Sequence, residues 1–483
     1  MDKKEREKNR LINNLVDALS ENNLAIFAGA GLSIPAGFVN WSQLLKPIAD
    51  ELDLDITKEN DLVTLAQYHC NMNQSNRGKL NQLLVNAFSK DTEITDNHKI
   101  LARLPIRTYW TTNYDKLIET ALSKAGKIAD TKYTNKQLVF TKPKRDAIVY
   151  KMHGDVDHPS EAVLTKDDYE TYHLKMQPFL NALSGDLISK TFLFLGFSFT
   201  DPNLDYILSR VRIAYNSDQR PHYCILKLVA QYKDEAQADF EYRGRKQELF
   251  VQDLLRFGIK SILVDDYSEV TEIIARVENQ YKQKSIFISG AAHEYGRFEK
   301  NEVEVFVYEL SKSIVESGYK VVSGFGLGIG SAVITGVLES VYMNGNRLDD
   351  SQLLLRPFPQ SNIGNEDIKV LWKHYREDMI SYAGIALFLF GNKLVDGKVE
   401  LSDGMKQEFE IAKGQGILLI PIGATGYMAK ELWDIVIESF KDEYKDIPQS
   451  VKDKIIDLGN ESKSLDEIKQ IVLDIINLLN GGQ

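Results

Sequence analysis

The sequence predicts an α/β protein of two Rossmann-like domains, and three observations carry that expectation. At 483 residues the chain is longer than one hydrophobic core usually serves. Short apolar runs in its first half each end in a polar or glycine-bearing turn, as strands buried on both faces of a parallel sheet do. From Ser285 onward strand candidates alternate with amphipathic helices, the pattern of a second sheet covered by helices.

Taken in order, Leu11, Ile12, Leu15, Val16 and Leu19 recur at helical spacing and predict an amphipathic first helix. Strands are expected at 24–27, 149–152, 192–195 and 262–264, followed by a helix carrying Ile273, Ile274 and Val277. The charged stretch YKQK then precedes a fresh strand-like start, which sets the expected boundary between domains 1–283 and 284–483. Beyond it, strands are expected at 286–289, 320–323, 352–355, 385–390 and 417–420. Val303, Phe306, Val307, Leu310 and Ile314 share one face of an intervening helix.

Composition excludes several classes. Hydrophobic residues at 43% and charged residues at 26% are ordinary for a folded soluble protein. A net charge of −11 argues against a surface that covers nucleic acid, because such binding needs clustered Lys and Arg to displace counterions. Cys70 and Cys224 stand far apart and match neither a disulfide framework nor a zinc site, so no metal is expected and a reducing cytoplasm fits. MDKKEREKNR opens no secretory signal, and the longest apolar stretches are too short to span a bilayer.

Four segments carry the chemistry: AIFAGAGLS (25–33), TTNYD (111–115), HGD (153–155) and GFSFTDPN (196–203). Gly29 and Gly31, flanked by Ala28 and Ala30, sit where a strand turns into a helix, so their backbone N–H groups are expected to approach a pyrophosphate. The G-x-G-x-x-G pattern is not completed, because Ile34 holds the third glycine position; alone, the turn says little. Asn113 and Asp115 also read as caps of the helix that TTNYDKLIE opens, and DPNLD reads as a helix entry. His153 follows a buried strand, and His98 is the second candidate base, better explained as fixing a helix start.

In order and spacing these segments resemble the sirtuin family over roughly residues 20–230. GAGLSIPAGF stands for its GAG-x-S…G-[IF], TTNYD for T-Q-N-x-D, HGD for H-G, and GFS for G-T-S. The resemblance implies NAD as the ligand. Cleaving NAD between ribose C1′ and the pyridinium nitrogen releases neutral nicotinamide and needs no general acid; it needs alignment, charge stabilisation and a base. His153 is the expected base, since imidazole titrates near neutrality, and Asn113 the group that holds ribose or water. Asp115, Ser33, Gly196, Ser198, Asp201 and Asn203 are expected around the rest of the dinucleotide. Val39, Asn40 and Trp41 replace the Asp-Phe-Arg of deacylating sirtuins, Thr112 replaces Gln, and the CxxC pairs of their zinc module are absent. These departures count against an acyl-lysine substrate.

In the second half, FISGAA (287–292) and SGFGLGIGS (323–331) end strand candidates in glycines dense enough to wrap a diphosphate. This half resembles the SLOG superfamily, related to LOG-type phosphoribohydrolases: YRED supplies Arg376 and MKQEF supplies Glu408, but the P-G-G-x-G-T loop is replaced by GNKLVDGKVELSDG. Binding without hydrolysis is the expectation.

The chain as a whole resembles the effectors of the bacterial Thoeris antiphage system, in which a sirtuin-like NADase precedes a SLOG sensor. YWTTNYDKLIE, VYKMHGDV and GFSFTDPNLDYIL carry the likeness. It implies a homotetramer whose second domain binds a cyclic ADP-ribose isomer made by a ThsB-like TIR-domain partner. Ser289, Gly290, Gly326, Gly328, Arg376, Lys393 and Glu408 would form that pocket, Arg376 and Lys393 on phosphates. The competing readings are an NAD-dependent deacylase or ADP-ribosyltransferase, and a non-catalytic nucleotide-binding scaffold.

Overall fold

A computed structural model describes residues 3–215, 220–358, 368–441, 444, 445 and 447–479. The chain divides into two compact units, Met1–Glu278 and Asn279–Gln483, each of which is α/β.

The first unit holds seven strands among its described residues: β1 (Leu24–Ala28), β2 (Thr108–Thr111), β3 (Ala129–Lys132), β4 (Ala147–Lys151), β5 (Thr191–Leu195), β6 (His222–Lys227) and β7 (Ile259–Val264). They pair in parallel in the order β3-β4-β2-β1-β5-β6-β7. The order reverses between β1 and β5, the place where open parallel sheets leave a crevice at the carboxyl ends of their strands. β1 and β5 are buried along their whole length, which explains their unbroken apolar sequence. β3 escapes the apolar pattern because Asp130 and Lys132 are buried on it as an ion pair at 2.7 Å.

Helices cover both faces. The first, Lys3–Ser20, buries Leu11, Ile12, Leu15, Val16 and Leu19, the stripe that its periodicity predicts. Asn40, within the segment that replaces Asp-Phe-Arg, starts a helix instead: its side chain accepts from Gln43 N, and Gln43 accepts from Asn40 N, each at 2.9 Å.

The second unit holds β8 (Ser285–Ala291), β9 (Lys320–Ser323), β10 (Leu353–Leu355), β11 (Ile385–Phe390), a hairpin of β12 (Asn392–Val395) and β13 (Lys398–Leu401), and β14 (Leu418–Pro421). Its main sheet is parallel in the order β10-β9-β8-β11-β14, so its switch point lies between β8 and β11. Helix Lys300–Glu316 buries Val303, Phe306, Val307, Leu310 and Ile314. Among the described residues no helix is long and apolar enough to cross a membrane.

Two histidines of the first unit are structural. His98 is buried with Nδ1 2.7 Å from the hydroxyl of Thr95, the N-cap of helix Asp96–Arg103, and burial pushes its pKa down to about 4 against the pull of Asp115. His222 accepts from Phe192 N at 3.2 Å, and burial, with Arg220 nearby, likewise pushes it down to about 4. The unfolded chain binds protons on both near pH 6.5 while the folded chain refuses them until about pH 4, so stability falls as pH drops through that window. Each histidine is expected to remove on the order of 3 kcal/mol across it. Urea titrations from pH 7 to pH 4 should show the decline, and His222→Gln should flatten it.

Candidate functional site

The parallel register decides which residues meet. Thr111 pairs with both Ala28 and Lys151, and Ala28 with Leu195, so the loops leaving β1, β2, β4 and β5 start at one level. Asn113 and His153 each stand two residues beyond a paired position on adjacent strands.

At the crevice, Gly29 N donates to Leu195 O and Gly31 N to Gly196 O, both at 2.9 Å. A Cβ on Gly29 would lie 2.4 Å from Gly196 O, and one on Gly196 would lie 2.2 Å from Leu32 N. This corrects the expectation for the glycine turn. The Gly29 and Gly31 N–H groups are spent on the β5 exit, and the missing side chains let two backbone segments touch.

Asn113 reads the same turn from the other side. Its Nδ2 donates to Gly29 O and Ser33 Oγ, both at 3.0 Å, while Thr111 Oγ1 accepts from Asn113 N at 2.9 Å and donates to Ala28 O at 2.9 Å. Asn113 therefore caps no helix. Its Oδ1 is left as the atom able to accept from a bound hydroxyl or water. Asp115 is the cap: Oδ1 accepts from Leu117 N at 3.0 Å at the start of helix Leu117–Lys124, and Oδ2 is buried without a hydrogen bond.

His153 is 2% exposed, with the rings of Tyr169 and Tyr172 edge-on to it. Its Nε2 lies 3.0 Å from Asp201 Oδ2, an ion-pair distance without hydrogen-bond alignment, and Nδ1 is buried without a hydrogen-bond partner. Asp201 uses its other oxygen to accept from Asn203 N and Leu204 N at the head of helix Pro202–Tyr215. Burial alone would raise this carboxyl, but the facing His153 ring and those two N–H groups hold it below the usual carboxylate range. Asp201, expected on the dinucleotide, thus spends both oxygens inside the protein. Ser198 is exposed and bonds Thr200, and Asn203 is buried with Nδ2 unpartnered.

Sequence reading missed Lys151, which has no exposed side-chain surface. Its ammonium donates to Tyr114 O at 3.0 Å and Asp115 O at 2.6 Å, and pairs with Asp155 at 2.6 Å and Glu119 at 3.4 Å. Burial opposes the charge, yet the Glu119 and Asp155 carboxylates hold the lysine pKa above its ordinary value. One buried cation thereby ties the Asn113 loop to the His153 loop. The signal was the charge itself, at the end of an otherwise apolar strand.

In the second unit a cleft of about 160 Å³ opens at the switch point, lined by Ser289 and Gly290 of β8, Gly326, Arg376 and Glu408 among others. Ser289 donates to Glu408 at 2.6 Å, and Arg376 Nε lies 3.5 Å from Glu408. Burial raises the Glu408 carboxyl despite Ser289 and Arg376. Arg376 also lies over the rings of Phe358 at 4.8 Å and Trp372 at 5.8 Å, the latter one helical turn before it. The glycine loop is again a packing device, since a Cβ on Gly326 would lie 1.7 Å from Gly290 O. Two expected members fall outside the lining. Gly328 stands farther along the loop, its carbonyl 3.5 Å from the Tyr295 hydroxyl. Lys393 sits on the β12–β13 hairpin and pairs with Asp403 at 3.1 Å, because GNKLVDGKVEL folds as a hairpin in place of a phosphate loop.

Among the described residues no group of three or more His, Cys, Asp or Glu is placed to hold a metal ion. The fold and its crevices define a two-domain α/β protein with a SIR2-like unit followed by a SLOG unit. The model of the SIR2-like domain matches residues 107–247, and that of the Sir2- and TIR-associating SLOG family matches residues 269–479. Proteins named NAD(+) hydrolase ThsA are similar over nearly the whole chain. That of Bacillus cereus (strain MSX-D12) is 55% identical over 97% of this chain and 98% of its own. Those of Cytobacillus dafuensis and Acinetobacter baumannii (strain 532279) are 49% and 46% identical, over 99% and 98% of this chain and 98% and 100% of theirs. The chain belongs to the ThsA family of NAD(+) hydrolases.

Lys151→Met strands Asp155 and Glu119 as buried charges beside a thioether, which is expected to cost about 3–5 kcal/mol of stability. A fall in the urea midpoint checks it.

Proposed function

We propose that this chain is an NAD+ glycohydrolase, releasing nicotinamide and ADP-ribose, and that it depletes NAD in the cytoplasm as an antiphage defence. The observation that carries the reading is the pairing of buried His153 with Asp201 in the loop beside the one where Asn113 is braced on the β1 turn.

In this reading the glycosidic bond breaks toward neutral nicotinamide, and an oxocarbenium-like ribose takes up water. Asp201 holds the proton of His153 on Nε2, which leaves Nδ1 to accept the proton of the attacking water. Asn113 Oδ1 orients the water or a ribose hydroxyl, and Ser33 fixes the Asn113 amide. Asp115 contributes negative charge near the developing cation. The balance is NAD+ and water to nicotinamide, ADP-ribose and a proton. Ala28, Gly29, Ala30, Gly31, Gly196, Ser198 and Asn203 shape the dinucleotide side of the crevice.

The functional domains are 1–283 and 284–483, the second a sensor for a cyclic ADP-ribose isomer supplied by a TIR-domain partner. Arg376 and Glu408 would hold phosphate and ribose. Because a constitutive hydrolase would drain the cell, the signal must bind the active arrangement more tightly than the resting one. In a homotetramer, binding at the second domain would shift subunit packing and open the NAD site.

The test is nicotinamide release by the purified full chain, with and without cyclic ADP-ribose isomers. One isomer should raise the rate, and Arg376→Ala should remove that increment. His153→Ala and Asn113→Ala, shown to be folded by circular dichroism, should each lower the activated rate by about 10²–10⁴-fold. Undiminished NAD loss in both variants overturns the proposal.

A further inference from the structure

Phe325 is placed at odds with its surroundings. It stands in SGFGLGIGS with φ 59, the left-handed region that an aromatic residue rarely adopts and that glycine adopts without strain. Glycines flank it on both sides, yet this position carries a phenyl ring. Burial does not repay the strain, because the residue remains 41% exposed. The next apolar residues of the loop divide: Ile329 is 2% exposed and packs inward, whereas Leu327 is 72% exposed.

The ring is nonetheless held. A Cβ on Gly330 would lie 2.9 Å from Phe325 C and 3.0 Å from its Cα and Cδ2, so the absence of a side chain at the head of helix Gly330–Met343 admits both the backbone and the ring of Phe325. Phe325 also lines the switch-point cleft, with Ser289, Arg376 and Glu408 among the other lining residues. Those three offer a hydroxyl, a guanidinium and a carboxylate, groups that suit ribose hydroxyls and phosphate and give no flat apolar surface. Of the other two aromatics of the lining, Phe287 is 1% exposed and Phe358 already carries the Arg376 guanidinium over its ring.

We propose that Phe325 is the stacking platform for the heteroaromatic base of the nucleotide ligand bound in this cleft, and so a specificity residue of the second unit. The inference rests on the reading of the cleft as a nucleotide site and adds the part of the ligand that its polar groups do not recognise. Stacking of a base on an aromatic ring is strong enough to decide binding and tolerant of which base it is. The polar residues would then fix the sugar and phosphate while the ring demands a base.

The experiment is calorimetric titration of the full-length protein with cyclic ADP-ribose isomers, comparing wild type, Phe325→Ala, Phe325→Leu, Phe325→Trp and Arg376→Ala. Phe325→Ala and Phe325→Leu should both bind about ten-fold or more weakly. Phe325→Trp should stay within about three-fold of wild type and add a ligand-dependent change in tryptophan fluorescence beyond the wild type's own. Unchanged affinity in Phe325→Ala alongside lost binding in Arg376→Ala overturns the platform and leaves the nucleotide site standing. Full affinity in Phe325→Leu overturns it too, since an aliphatic contact would suffice. Unchanged affinity in both alanine variants, or no binding by the wild type, overturns the nucleotide reading together with this one.

Discussion

A contact between two pieces of backbone governs the first site. The chain leaves β1 and β5 side by side at the switch point, and Gly29, Gly31 and Gly196 let the two exits bond to each other with no side chain between them. A Cβ at either partner would force them apart. Because the Gly29 carbonyl accepts from Asn113, the position of that amide is inherited from the same contact. Ser33, one turn farther on, supplies the second acceptor. The geometry of one candidate catalytic group is thus set by backbone, which is stiffer than any side-chain brace.

The other half of the site is set by buried charge. Lys151 is isolated from water and satisfied by two carbonyls of the Asn113 loop and two carboxylates, so the β2 and β4 exits cannot separate without exposing an unpaired ion. His153 lies two residues beyond it, facing Asp201, whose second oxygen heads a helix. An ionised carboxylate beside a buried imidazole does two things. It favours a proton on the ring nitrogen that faces it, and it would stabilise an imidazolium formed when the other nitrogen takes one. Both effects grow as water is excluded, in keeping with a ring 2% exposed.

How far this was legible in the sequence follows from what each element buries. β1, β5 and β11 are buried along their whole length and, apart from Thr191 at the head of β5, are apolar throughout, and β8 carries a buried apolar run at 286–288 between two serines, so the two-domain α/β plan was visible. β3 was hidden because its inward residues are a buried ion pair, and β6 because it opens on a buried histidine. The four segments of the site stood out as turns after strands, yet sequence cannot say whether a glycine yields to a ligand or to another strand exit. Distinguishing them needs the register, which places Ala28 opposite Leu195. Asp201 was legible as a helix entry and illegible as the partner of His153, because that meeting spans two loops far apart in sequence. The setting of Lys393 was hidden for a related reason: charge near a glycine suggested a phosphate loop, whereas alternating residues in GNKLVDGKVEL carry a hairpin.

The two units put their crevices at the same topological point and furnish them differently. In the first, the neighbouring loops close on themselves through N–H groups, a lysine and a carboxylate, and the buried polar atoms left without a hydrogen bond include both ring nitrogens of His153, Asp115 Oδ2 and Asn203 Nδ2. That is the condition of a site where reacting groups must be held still. In the second, an arginine stacked on aromatics and a carboxylate bonded to a serine line an open cleft of about 160 Å³, with an exposed ring on its loop. Ser289 and Arg376 are buried, Glu408 is largely so, and the three are turned toward one another at the wall of the cleft, while a β12–β13 hairpin stands where the resemblance would place a P-G-G-x-G-T loop. The same doubly wound frame therefore carries two differently furnished crevices, one whose loops bond to each other and one that opens as a cleft.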